Sequence, residues 1–235
     1  MFFKNLKESL KLIKISLVYL KDKSADAPYH CRLLVGTFMI VFALIVNGIV
    51  SRYVDAKNYK PAENDWVLDL LQIDAVSHFF AAWILSFGFV VLIGLIFIAA
   101  IYSDYKRVPF IQISISLLYL IRSFTMTLTR WGVPADHLTL GEGTMFYDVF
   151  KDYLIFKNDL FFSAHTALPF LMALLFYKRN KKWWCIFSFI TVLFAFGVLK
   201  IHGHLAIDVA MAFAAPYLIF NVTKNLFGAW DTEKD

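Results

Sequence analysis

Residues 33–50 read Leu-Leu-Val-Gly-Thr-Phe-Met-Ile-Val-Phe-Ala-Leu-Ile-Val-Asn-Gly-Ile-Val, without one charged side chain. A bilayer's hydrocarbon core, about 30 Å thick, takes about 20 mostly apolar residues to cross as a helix. A helix on the surface of a soluble protein keeps a polar face, and this stretch has none. Five more apolar stretches follow, at 76–102, 108–128, 161–177, 183–201 and 205–222, the one at 161–177 being shorter. The composition agrees. The chain is 235 residues long, 60% hydrophobic and 17% charged, with 25 phenylalanines. A soluble domain is nearer one half apolar and about one quarter charged. This balance argues against a soluble enzyme and against a disordered chain. The expected fold is an all-α membrane protein of six transmembrane helices, preceded by an N-terminal amphipathic interfacial helix.

That leading helix is residues 1–23. Lys4, Lys7, Lys11 and Lys14 recur at helical spacing, while Phe2, Leu6, Ile13, Leu17 and Leu20 fall on another face. The pattern suits a helix lying in the membrane surface, or one packed under the bundle. Residues 24–235 then form one six-span domain. The net charge of +5 lies mostly in two clusters, residues 1–23 and Lys178–Lys182. Two basic clusters on an apolar chain argue for a membrane partner and against nucleic acid. Basic residues favour cytoplasmic loops. Counted over the loops, they put both termini in the cytoplasm, and segments 51–75, 129–160 and 201–204 on the exoplasmic side. Cys31 and Cys185 are too few for a disulfide framework or a Cys-rich zinc site. No cofactor or metal is required by the reading that follows, and the oligomeric state is left open.

Five of the six histidines (His78, His137, His165, His202 and His204) fall at or near exoplasmic span ends. Ionisable groups at membrane depth are expensive and are candidates for function. His204 and Asp208 are four apart, which makes them neighbours on a helix. A carboxylate beside an imidazole fixes its tautomer and stabilises the imidazolium. Asp208 stands among Val209, Ala210 and Met211 and needs such a partner. His165, opening another span, suits a general acid toward a leaving oxygen. Arg122, near the end of a third span, suits a phosphate. Together they describe a phosphoryl-transfer site. Asp159, Ser163, His202 and Arg130 are candidate supporting or phosphate-binding residues. The acidic stretch Glu63, Asp65, Asp69 and Asp74 reads as a solvated loop or as a headgroup selector.

Two segments carry a family resemblance. Asp159-Leu-Phe-Phe-Ser163-Ala164-His165-Thr166 resembles the pattern Asp-x-x-x-Ser-Gly-His-Thr. His202-Gly-His204-Leu-Ala-Ile-Asp208-Val209 resembles His-x-His-Tyr-x-Ile-Asp-Val. Both patterns belong to the sphingomyelin synthase family, within the wider superfamily of PAP2-type lipid phosphate phosphatases. Arg122 through His137 is a looser version of an upstream stretch of that family. The resemblance implies that His204 forms a phosphohistidine, Asp208 orients it, His165 protonates the leaving alcohol and Asp159 supports the site, all facing the exoplasmic leaflet. It also implies a phospholipid donor and a lipid-alcohol acceptor as partners. Ala164 stands in place of the motif's glycine and Leu205 in place of its tyrosine. The superfamily's Lys-x6-Arg-Pro motif is absent, so phosphate charge falls to Arg122, Arg130, Lys200 or backbone.

The same His, His and Asp serve three outcomes: headgroup transfer to a ceramide- or diacylglycerol-like alcohol, hydrolysis of phospholipase C type, and lipid phosphatase action. A metal-dependent oxidase with histidine ligands is a further enzyme class. A scaffold that binds lipid or shapes membranes without chemistry is the non-enzymatic reading.

Overall fold

A computed structural model describes residues 27–57, 59–60, 65, 67, 75–103, 105–129, 132 and 161–231, with backbone alone for 75–82 and 103. About 86% of the described residues are helical, and none lies in a strand. The amphipathic segment 1–23 lies outside the described residues, as do Asp159, Arg130 and His137.

Six α-helices follow in order: α1 (Tyr29–Asp55), α2 (Ala75–Ile98), α3 (Val108–Leu128), α4 (Ala164–Phe176), α5 (Lys181–Lys200) and α6 (Ala206–Phe227). A π-helical turn (Ala99–Ser103) and a 3-10 turn (Tyr105–Arg107) join α2 to α3. Pro109 lies in the first turn of α3, where its missing N–H costs no hydrogen bond. Asn180 caps α5, accepting from the backbone N–H groups of Lys182 and Trp183. Five helical stretches are long and apolar enough to cross a membrane, the character of an integral membrane protein. α4 is the exception, with 13 residues.

The helices alternate in direction. Gln112 Nε2 donates to Thr37 Oγ1 and Arg122 Nη1 to Asn47 Oδ1, so α1 and α3 run parallel, side by side. α1 buries Gly36, Ala43, Ser51 and Val54 and little else. Small residues let two helix backbones approach closely where no water drives them together. At Gly36 a Cβ would lie 3.1 Å from Gln112 Cβ and closer still to the end of that side chain, which would have to shift.

α4 runs against α3. Arg122 Nε reaches the Phe162 carbonyl just before α4, and Arg107 Nη2 reaches the Leu175 carbonyl at its far end. α4 packs against α5 and α6 as well, and most of it is buried. A helix about 20 Å long at 1.5 Å per residue is too short for the bilayer, but α4 is lined by protein rather than lipid.

Inside this bundle, hydroxyls bond back to their own helix. Ser114, Ser123, Thr191 and Thr223 each donate to the carbonyl four residues earlier. That is the economical solution where hydrocarbon offers no acceptor. Among the described residues, the hydroxyls of Ser51, Ser163 and Thr166 are buried with no hydrogen-bond partner.

Candidate active site

The polar groups converge where α3 ends and α4 and α6 begin. α5 closes with a Schellman turn. The His202 N–H donates to the Leu199 carbonyl and the Gly203 N–H to the Val198 carbonyl, the paired bonds of that motif. His202 occupies the left-handed position with φ 52°, where glycine is usual. The turn delivers His204 to the threshold of α6. Leu205 is the N-cap residue of α6, so His204 precedes the helix.

His204 and Asp208 do meet, although not as two residues on one helix face. Asp208, in the first turn of α6, reaches back: its Oδ2 lies 3.4 Å from His204 Nδ1 and accepts from the Leu205 N–H at 3.1 Å. One carboxylate thus orients the imidazole and satisfies a helix-end donor. The Asp208 side chain is 3% exposed and that of His204 is 11% exposed. With Nδ1 turned to the carboxylate, Nε2 is the ring nitrogen left for chemistry.

His165 stands in the first turn of α4, half-buried between the rings of Phe89 and Phe194, at centroid distances of 4.7 and 6.0 Å. Arg122 bonds to the Phe162 carbonyl, three residues before His165 in the chain. Ser163 is the N-cap of α4, yet its hydroxyl makes no capping bond. Ser163 Oγ and Thr166 Oγ1 on either side of His165 are both fully buried and have no hydrogen-bond partner among the described residues. An unmade bond of this kind costs about 1–3 kcal/mol.

Arg122 is 2% exposed. Its Nε bond to the Phe162 carbonyl is 3.2 Å and its Nη1 bond to Asn47 Oδ1 is 3.0 Å. These bonds make it a brace for the backbone leading into Ser163 as well as a positive charge near His165. His202 is 5% exposed and belongs to the turn that carries His204. Phe161, at φ 128°, is the other non-glycine residue with positive φ among the described residues. Backbone strain therefore sits within both histidine segments, shortly before His165 and His204, a pattern associated with sites that need fixed geometry.

Two contributions escape a reading of the sequence, one from a residue it passes over and one from a residue it reads only as part of an acidic loop. Asn47 is one, and a single amide within the apolar span 33–50 was the available signal. Asp65 is the other. Its Oδ2 accepts from the Ala206 N–H at 2.7 Å and its Oδ1 from the Val67 N–H at 3.1 Å. The loop carboxylate thus caps α6 from outside, rather than standing in solvent. Nearby, the Gly132 N–H donates to the Lys60 carbonyl at 2.9 Å, joining the two long loops. Among the described residues, no group of three or more His, Cys, Asp or Glu side chains is placed to hold a metal ion.

No family model, curated protein or solved structure matches the chain.

Proposed function

We propose that the chain is a membrane lipid phosphotransferase of PAP2 type, similar to sphingomyelin synthases, that moves a phospho-headgroup between lipids through a phosphohistidine. The observation that carries the reading is a histidine oriented by a buried carboxylate, in a bundle where an arginine of α3 holds the backbone that leads into a second histidine at the start of α4. The unpartnered hydroxyls of Ser163 and Thr166 support it, because phosphate oxygens would accept from both. The first N–H groups of α4 lack helix partners and add donors for an anion.

In the first step His204 Nε2 attacks the phosphorus of a phosphodiester lipid. The bond to the diacylglycerol oxygen breaks, and His165, as imidazolium, gives that oxygen its proton. A bound phosphate anion favours the charged ring. Asp208 stabilises the positive charge that develops on His204. In the second step His165, now neutral, takes the proton of the acceptor alcohol. The alkoxide attacks phosphorus and His204 leaves, restored. Water as acceptor gives hydrolysis instead, and a monoester donor gives phosphatase action. The basic bias of the opposite end of the bundle supports an exoplasmic site with both termini in the cytoplasm.

The test uses purified protein in vesicles with phospholipid labelled at phosphorus, with and without ceramide and diacylglycerol. The expected results are label on His204, its loss in His204→Ala, and new phospholipid only when an acceptor alcohol is present. Full turnover by His204→Ala would overturn the mechanism. Release of free phosphate from monoesters alone would move the assignment to a phosphatase.

A further inference from the structure

A groove of about 400 Å³ runs between α2 and α5, walled by Trp83, Phe87 and Val91 on one side and Ile190, Leu193 and Phe194 on the other. Its volume is in the range of small-molecule sites, about 300–1,000 Å³, and its wall is apolar. Trp83, Phe87 and Val91 are each at least 43% exposed, so the groove opens sideways from helices long enough to span a bilayer. From Trp83 to Val91 it covers roughly 12 Å of α2 at 1.5 Å per residue. Gly88 narrows it at one place: a Cβ there would lie 3.1 Å from Phe194 Cε1. The glycine lets the Phe194 ring lie against α2.

Phe194 connects the groove to the site. One part of its ring lines the apolar wall, and the ring also meets His165 edge-on at 6.0 Å between centroids. An occupant of the groove therefore ends one aromatic ring away from His165. Such an occupant must be apolar, must enter from the side and must carry its polar part toward the histidines. A hydrocarbon tail with a polar head fits these terms. We propose that the groove holds an acyl chain of a membrane phospholipid. Resting on the phosphotransfer reading above, that lipid is the substrate, and Phe194 sets how close its glycerol end comes to His165.

The probe is phosphatidylcholine with a photoreactive diazirine in one acyl chain, in vesicles with the whole protein. Crosslinked residues are mapped by mass spectrometry in the wild type and in His204→Ala. The expected result is labelling at Phe87, Val91 and Ile190 well above that at Phe38 and Leu218, which are at least as open on other faces. His204→Ala keeps the labelling, because the tail does not need the chemistry. Two variants fill the groove, Val91→Trp at its open wall and Gly88→Leu against Phe194. Each should lose groove labelling and turn over long-chain donor about tenfold more slowly, while a short-chain donor stays within about twofold. Retained short-chain turnover also reports that the variant is folded.

Uniform labelling over all faces overturns the proposal, as does long-chain turnover unaffected by both variants. Uniform labelling combined with a changed oligomeric state in Val91→Trp overturns it too, and assigns the groove to a second copy of the chain. Groove-specific labelling without turnover of any lipid upholds the groove and defeats the phosphotransfer reading instead.

Discussion

His202 carries a backbone cost that its side chain does not explain. The left-handed conformation at φ 52° is open to glycine and strained for other residues, histidine among the less strained. Replacement by alanine and by glycine removes the same imidazole and differs mainly in that strain. His202→Gly should therefore be more stable than His202→Ala by about 1 kcal/mol, seen as a higher unfolding temperature in detergent, despite glycine's greater freedom when unfolded. The reverse order would mean the Schellman turn is absent. The geometry of His204 and Asp208 was legible four residues apart in the sequence, but for an incomplete reason. The spacing suggested one helix face, whereas His204 precedes the N-cap and Asp208 folds back across it. The two arrangements share a spacing, so sequence alone cannot separate them. The partners of Arg122 were not legible at all, since Asn47 and Phe162 are brought to it only by the packing of α1 and α4.

α6 starts with two of its end donors already satisfied by carboxylates, the Leu205 N–H by Asp208 and the Ala206 N–H by Asp65. A negative charge there also suits the positive end of the helix dipole. Asp65→Ala should destabilise the protein by about 1 kcal/mol, and Asp65→Asn by less because the amide oxygen still accepts. Thermal unfolding of the two variants checks the order; equal stability of all three proteins would remove Asp65 from the cap. α4 illustrates what hydropathy can and cannot say. Its apolar run at 161–177 was visible, and its shortness too. Its central position was not, because the helices around it are apolar on lipid-facing and protein-facing sides alike. Pro169 within it lacks the N–H that would bond the His165 carbonyl, a local loosening beside a candidate catalytic group that residue composition does not reveal.

The end of the bundle away from the histidines is held by charge. Arg107, 1% exposed, pairs with Asp231, which also lies 3.4 Å from Arg179. Arg32 Nη1 donates to the Ala229 carbonyl at 2.9 Å. The tail after α6 is thereby fastened to the start of α3, the loop after α4 and the start of α1. Removing one partner of a buried pair strands the other. Asp231→Ala should cost about 3 kcal/mol, seen as a lowered unfolding temperature, whereas loss of an exposed charge such as Lys106 should cost little. If the two variants behave alike, the clasp carries no weight. The sequence marked this end as basic and read the charges as a sign of orientation. That Arg107 is buried against Asp231, with Arg179 beside it, was outside its reach, because Asp231 is more than a hundred residues from Arg107.

Among the described residues, α1 meets the other helices along one narrow face and is otherwise open. Asn47 on that helix is bonded to Arg122, and Arg122 to the carbonyl of Phe162, the residue before Ser163. A bilayer thicker or thinner than the protein prefers is accommodated by helix tilt, and the helix with the fewest restraints tilts first. Two bonds in series then link the lean of a peripheral helix to the position of the Ser163 backbone, which would make lipid thickness a mechanical input to the proposed site.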